Sequence, residues 1–172
     1  MTRLDRRERR GVVFTNCNNV NVRDVKIINS PEWSFISYCC TDVSINNVDI
    51  IGNRGNCDGI WDNDRIGSLV VVAEQTEGSI DGVLFENIEI FRDEGRPILV
   101  KIYDEEAKNF EIKNIVFRNI SFTSYMMPKI AGTDSNSNTV QVELDGITVC
   151  GNKQLSPKAL FYIGKYCDVT SD

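Results

Sequence analysis

Histidine is absent from all 172 residues. That removes the commonest general acid–base and the commonest zinc ligand, so any chemistry must rest on carboxylates, lysine, arginine, tyrosine or thiols. No apolar run reaches the roughly eighteen residues that a membrane-spanning helix requires, and no membrane partner is expected. None of the six cysteines has a CxxC partner, so no metal site and no cofactor is expected. Cys39 and Cys40 are adjacent and poorly placed to bridge each other; the cysteines read as reduced, small apolar fillers. The first ten residues hold Arg3, Arg6, Arg7, Arg9 and Arg10 but no apolar stretch follows, so a signal peptide is not read there. The chain as it stands is expected in the cytoplasm unless an export segment lies outside it. A net charge of −6 argues against nucleic acid as partner.

What the sequence does contain is a repeat. Five segments share one order: apolar, any, apolar, any, Asn/Asp/Gly, apolar, any, apolar. They are VNVRDVKI (Val20 to Ile27), VSINNVDI (Val43 to Ile50), VLFENIEI (Val83 to Ile90), IVFRNISF (Ile115 to Phe122) and VELDGITV (Val142 to Val149). Each half alternates as a half-buried strand does. The fifth position (Asp24, Asn47, Asn87, Asn119, Gly146) breaks the alternation with residue types that tolerate positive φ, as a sharp bend between strands demands.

The starts lie 23, 40, 32 and 27 residues apart. About twenty-odd residues make one solenoid turn, so the longer intervals hold inserted loops or an extra turn. The reading is all-β: a right-handed, single-stranded parallel β-helix spanning 1–172 as one domain, the hand following from the crossover rule. Val22, Ile45, Phe85, Phe117 and Leu144 are expected in one interior column, and Asn47, Asn87 and Asn119 at equivalent corners. Cys17 should lie over Cys40, and Asn19 over Asp42. Leucine-rich repeats would need leucine at the apolar positions, and a β-sandwich gives no reason for one fixed corner residue.

Residues 9–60, about a third of the chain, resemble the polygalacturonase family of glycoside hydrolases, whose fold is the pectate-lyase-like β-helix. NSPEW (Asn29 to Trp33) is similar to the family's NSP-x-W/F segment, and NCDGI (Asn56 to Ile60) to its NTDG motif, with Cys57 in place of Thr. The resemblance implies hydrolysis of α-1,4 galacturonide linkages with inversion, by three aspartates and a GHG histidine, with an R-x-K pair gripping a substrate carboxylate. Inversion needs one protonated carboxyl for the leaving oxygen and one ionised carboxyl to activate water. Asp58 is the one family aspartate that carries over. Where the family has an Asp pair this chain has GSIDG with Asp81 alone, GHG is missing, and RPILVK (Arg96 to Lys101) is not R-x-K. Coils bearing those motifs are expected to be lacking between Asp64 and Gly78.

Asp58, Asp62 and Asp64 fall within NCDGIWDND and, two apart in a strand, Asp62 and Asp64 would share a face. They are the candidate catalytic carboxylates; the same run also reads as a surface turn, or as ligands for a hard cation. Trp61 beside them is a candidate platform for a sugar ring, whereas Trp33 reads as packing. Arg65, Arg96 and Lys101 could each pair with a uronate carboxylate or be ordinary solvated surface; Arg65 and Lys101 are kept as candidate substrate-binding residues. The expected partner is an acidic polysaccharide, galacturonan by resemblance. The functional expectation is a glycoside-hydrolase-like protein acting on pectin-type polysaccharide or derived from such enzymes, against a non-catalytic β-helix that binds acidic sugar or serves as scaffold. Open solenoid ends should self-associate, chiefly at the C-terminal coil, because the arginine-rich N-terminus repels its own kind.

Overall fold

The computed structural model describes residues 12–28, 35–38, 40–51, 67–73, 77–93, 96–124, 126–153 and 156–172. Its strands, in chain order, are β1 (Val12–Thr15), β2 (Asn21–Ile28), β3 (Phe35–Tyr38), β4 (Val43–Ile51), β5 (Gly67–Ala73), β6 (Gly78–Asp93), β7 (Arg96–Ile102), β8 (Phe110–Ser124), β9 (Lys129–Ala131), β10 (Thr139–Asp145), β11 (Thr148–Val149), β12 (Asn152–Lys153), β13 (Tyr162–Ile163) and β14 (Cys167–Ser171). One 3-10 turn, Pro157–Leu160, is the only helical element among the described residues.

The alternating apolar residues close on themselves by stacking rung on rung. β2, β4, β6, β8, β10 and β14 stack in that order, every step parallel, while β5, β7, β9 and β13 stack as a second parallel sheet. β1 pairs with β3, and the one antiparallel contact among the described residues is the β11–β12 hairpin. The chain is therefore an all-β parallel β-helix. Val22, Ile45, Phe85, Phe117 and Leu144 occupy one in-register column, all of them buried. Within it the rings of Phe85 and Phe117 stack at 5.0 Å and 7°. Each such ring withdraws enough apolar surface from water to contribute about 1.5–3 kcal/mol.

Two columns of corners, not one, bend each rung. Asp24, Asn47, Asn87, Asn119 and Gly146 all have φ between 51° and 62°, the left-handed region that ordinary side chains avoid at about 1–2 kcal/mol. Five residues earlier in each of the first four rungs stand Asn19, Asp42, Gly82 and Asn114, again at positive φ. In the fifth rung that place is Gln141, which has no positive φ. There β10 runs straight, and its register on β8 slips between Val140 and Val142. The corner side chains bond along the stack: Asn47 Nδ2 donates to Asp24 Oδ1 (2.6 Å), Asn119 Nδ2 to Asn87 Oδ1 (3.1 Å), and Asn114 Nδ2 to Asp81 Oδ1 (2.7 Å).

No rung intervenes between β4 and β6, since Val43 pairs directly with Val83. Among the described residues the 40-residue interval holds β5. Cys17 and Cys40 lie on neighbouring rungs, as shown by the bridge of Asn18 with Thr41 and the bond from Thr41 N–H to the Cys17 carbonyl. Both are free thiols packed against the core.

One buried amide locks the loop beneath β8. Asn138 is fully enclosed; its Nδ2 donates to the Ala107 carbonyl and to Thr133 Oγ1, both 2.7 Å, and its Oδ1 accepts from Phe110 N–H at 2.8 Å. Buried backbone groups left over by the turn before β8 are satisfied in this way.

Candidate ligand-binding face

The two parallel sheets differ in charge. The strands β5 (GSLVVVA), β7 (RPILVKI), β9 (KIA) and β13 (YI) contain Arg96, Lys101 and Lys129 and no Asp or Glu. In β7 the core takes Ile98, Val100 and Ile102, so the pleat turns Leu99 and Lys101 outward. In β9 the core takes Ile130, which turns Lys129 outward. Leu99, in register with Val70 and Lys129, is fully enclosed, so the sheet is covered on its outer side at that point.

Each lysine of the face sits on an aromatic ring. Lys101 Nζ lies 4.2 Å from the centre of the Tyr103 ring, and Lys129 Nζ lies 5.5 Å from that of Tyr162. An ammonium over a ring is attracted by the ring's quadrupole. The register places Lys101 opposite Ala131 and Lys129 opposite Leu99. The two lysines are thus one rung apart and two residues offset, about 8 Å between backbones by strand geometry. Tyr162 is 54% exposed, so one face of the pair remains open to a ligand.

The other sheet is acidic outside. Arg118 there meets Asp145 (3.2 Å), Glu86 (3.4 Å) and Glu143 (3.5 Å), tying three rungs. Its guanidinium is held charged above its ordinary range, first by the hydrogen bond to Glu86, against a partial loss of solvation, and then by Asp145. Asp81 accepts from Asn114 and lies 3.8 Å from Lys113 Nζ. It serves a corner.

Of the residues singled out in the sequence, Asp58, Trp61, Asp62, Asp64 and Arg65 lie outside the described residues. Lys101 lies on the basic face. Arg96 belongs to the same sheet and donates to the Met127 carbonyl through Nη1. Tyr103, Lys129 and Tyr162 are not among the residues singled out in the sequence; a lone lysine within an apolar run, as in RPILVKI and PKIA, is the signal that marks the lysines, and nothing local marks the tyrosines. Among the described residues no three His, Cys, Asp or Glu side chains converge as metal ligands, and no helix there is long and apolar enough to cross a membrane. Comparison of the chain with protein families, characterised proteins and solved structures finds no match.

Proposed function

We propose that this chain is a polygalacturonase-like β-helix that binds acidic, pectin-type polysaccharide on the outer face of the β5–β7–β9–β13 sheet. The observation that carries the reading is the pair of lysine–tyrosine contacts on neighbouring rungs of a sheet that has cations and no acid. A uronate unit offers a carboxylate for an ammonium and an apolar C–H face for a tyrosine ring. The acidic outer side of the β2–β4–β6–β8–β10 sheet repels a polyanion and favours its approach to this face. A nucleic acid, denser in charge, would meet that repulsion more strongly. Hydrolysis is a separate property of such a protein and would rest on Asp58 with Asp62 or Asp64.

The test is affinity electrophoresis in gels containing polygalacturonate, fully methyl-esterified pectin or a neutral glucan. Retardation by polygalacturonate alone is expected, reduced at least tenfold in affinity by Lys101→Ala with Lys129→Ala. Equal retardation by the esterified polymer, or no effect of the double substitution, would overturn the reading. A reducing-sugar assay on the same polymer reports hydrolysis independently.

A further inference from the structure

We propose that Cys17 and Cys40 form a redox-responsive modification site, at which a low-molecular-weight disulfide converts the two thiols into a reversible bond between neighbouring rungs. Three observations carry this.

The first is register. Asn18 bridges Thr41 in the parallel sense. Thr41 N–H bonds to the Cys17 carbonyl and Asn19 N–H to the Thr41 carbonyl, each at 3.0 Å. The Thr41 hydroxyl also donates to Asn18 Oδ1 at 2.8 Å. Cys17 and Cys40 each stand one residue before this bridge, so they lie opposite each other on adjacent rungs. Rungs of a parallel stack are about 4.8 Å apart, inside the range of roughly 4.4–6.8 Å that separates the Cα atoms of a disulfide.

The second is direction and access. Both side chains pack against the same hydrophobic core, so both leave the backbone on its inner side. Both thiols are free and half-buried, within reach of a small reagent. Cys17 Sγ donates to the Thr15 carbonyl at 3.4 Å, a weak bond whose loss costs little.

The third is compliance. Stacked side chains hold their Cβ atoms near the rung spacing, a little beyond the roughly 3.5–4.5 Å that a disulfide prefers. Neither cysteine lies within a strand. Asn16 (φ 56°) and Asn19 (φ 55°) bend the chain on both sides of Cys17, and Asp42 (φ 52°) bends it after Cys40. A short connector between bends can tilt where a continuous ladder cannot. The misfit that remains is strain, and a strained disulfide is readily reduced.

The exchange balances. One protein thiolate attacks the reagent disulfide, breaks its S–S bond and expels one reagent thiolate. The second protein thiolate then attacks the protein sulfur of that mixed disulfide and expels the other half. Two protein thiols and one reagent disulfide become one protein disulfide and two reagent thiols, which carry away both protons. The new bond ties the rung of β2 to the rung of β4.

Equilibration of the full chain in mixtures of reduced and oxidised glutathione, quenched with an alkylating reagent, tests this. Under the oxidising mixtures two of the six thiols should stop reacting and the intact mass should fall by two hydrogens. Excess dithiol should restore all six. Fragmentation of the linked wild-type peptide between Cys39 and Cys40 should assign the bond to Cys17 and Cys40. Cys39→Ser should keep the bond and Cys40→Ser should abolish it; the wild-type fragmentation decides the assignment if either variant misfolds. Six reactive thiols in every mixture would overturn the proposal. So would glutathione adducts that stay on Cys17 and Cys40 without joining them, or a bond that runs to any other cysteine.

Discussion

Gly146 lies directly over Asn119: a Cβ placed on Gly146 would stand 2.5 Å from Asn119 Oδ1 and 3.4 Å from its backbone nitrogen. The fifth rung therefore has glycine where the four before it have Asn or Asp, although all five corners share one backbone conformation. Gly146→Ala should cost about 1–2 kcal/mol from the left-handed φ alone, with displacement of the Asn119 amide adding to it. Urea unfolding of Gly146→Ala, Asn119→Ala and the double variant checks this. The double variant should be more stable than the sum of the two losses allows, because removing Oδ1 removes the clash.

At Asn87 backbone conformation and hydrogen bonding can be separated. Its φ is 55°, it is exposed, and its Oδ1 accepts from Asn119. An exposed bond contributes little, roughly 0.5 kcal/mol, whereas a branched side chain at that φ costs about 1–2 kcal/mol. Asn87→Leu should therefore lower the urea midpoint clearly and Asn87→Gly barely. Equal losses for the two would show that the amide, and not the backbone, holds the corner.

These corners also show what was legible in the sequence. The fifth-position residues were visible because they interrupt an alternation, and from them the interior column Val22–Ile45–Phe85–Phe117–Leu144 followed. The second set, Asn19, Asp42, Gly82 and Asn114, is written just as plainly at a fixed five residues upstream. Only the first two were aligned, because three residue types share the place and Gln141 breaks the series. The β5–β7–β9–β13 sheet was hidden for a different reason. GSLVVVA and RPILVKI are nearly continuous apolar runs, since Leu99 is enclosed on the outer face too, and a run without alternation does not declare its faces. The lysine–tyrosine pairs of the candidate site depend on that sheet's register, which no local pattern encodes. Asp58 rests on the motif resemblance, Asp62 and Asp64 on their spacing in a strand and Trp61 on its place beside them, and all four lie outside the described residues.

Asn138 gives the largest expected single loss. Its amide satisfies the Ala107 carbonyl, the Thr133 hydroxyl and the Phe110 N–H with no exposure to solvent. Asn138→Ala strands backbone groups that water cannot reach, at about 1–3 kcal/mol each. The expected decrease is on the order of 3 kcal/mol in unfolding free energy, with hydrogen exchange at Phe110 accelerating toward that of an open turn. A loss below that of Asn87→Leu would mean that water enters and replaces the amide.

The thiols should separate by environment. Cys150 is exposed at the tip of the β11–β12 hairpin. Cys167 is half-buried, and burial pushes its thiol above the ordinary 9.0, opposed by the backbone N–H groups of Gly132 and Gly164. Thiolate is the reactive form, so a disulfide reagent at neutral pH should label Cys150 first and Cys167 many times more slowly. Because the folded-state value is raised, the stabilisation linked to Cys167 is complete below the unfolded value and is lost as pH climbs past the folded one. Unfolding free energy should therefore decline above about pH 9, and the decline should be shallower in Cys167→Ala. Lys113, raised chiefly by its hydrogen bond to Glu111, and Lys165, raised chiefly by Asp134, weaken in the same direction at still higher pH.

The last prediction divides binding from catalysis. Inverting hydrolysis requires two carboxyl groups about 6.5–9.5 Å apart across the sugar, with space for a water. The described strands of the basic sheet supply lysines and tyrosines for a uronate chain but no carboxylate at all. The acid–base pair proposed for a chain bound there is Asp58 with Asp62 or Asp64. Without histidine anywhere, and with the sequence motifs for the remaining family aspartates missing, turnover on polygalacturonate should be negligible beside binding. If a trace is measured, Asp58→Asn should abolish it while leaving retardation in polygalacturonate gels intact, because an amide keeps the carboxylate's shape and cannot exchange its proton. Lys129→Ala should do the reverse, weakening binding and leaving the turnover of bound polymer unchanged, because it grips a carboxylate that does not react. Turnover that survives Asp58→Asn would remove Asp58 from the site and leave the lysine face standing as a binding surface alone.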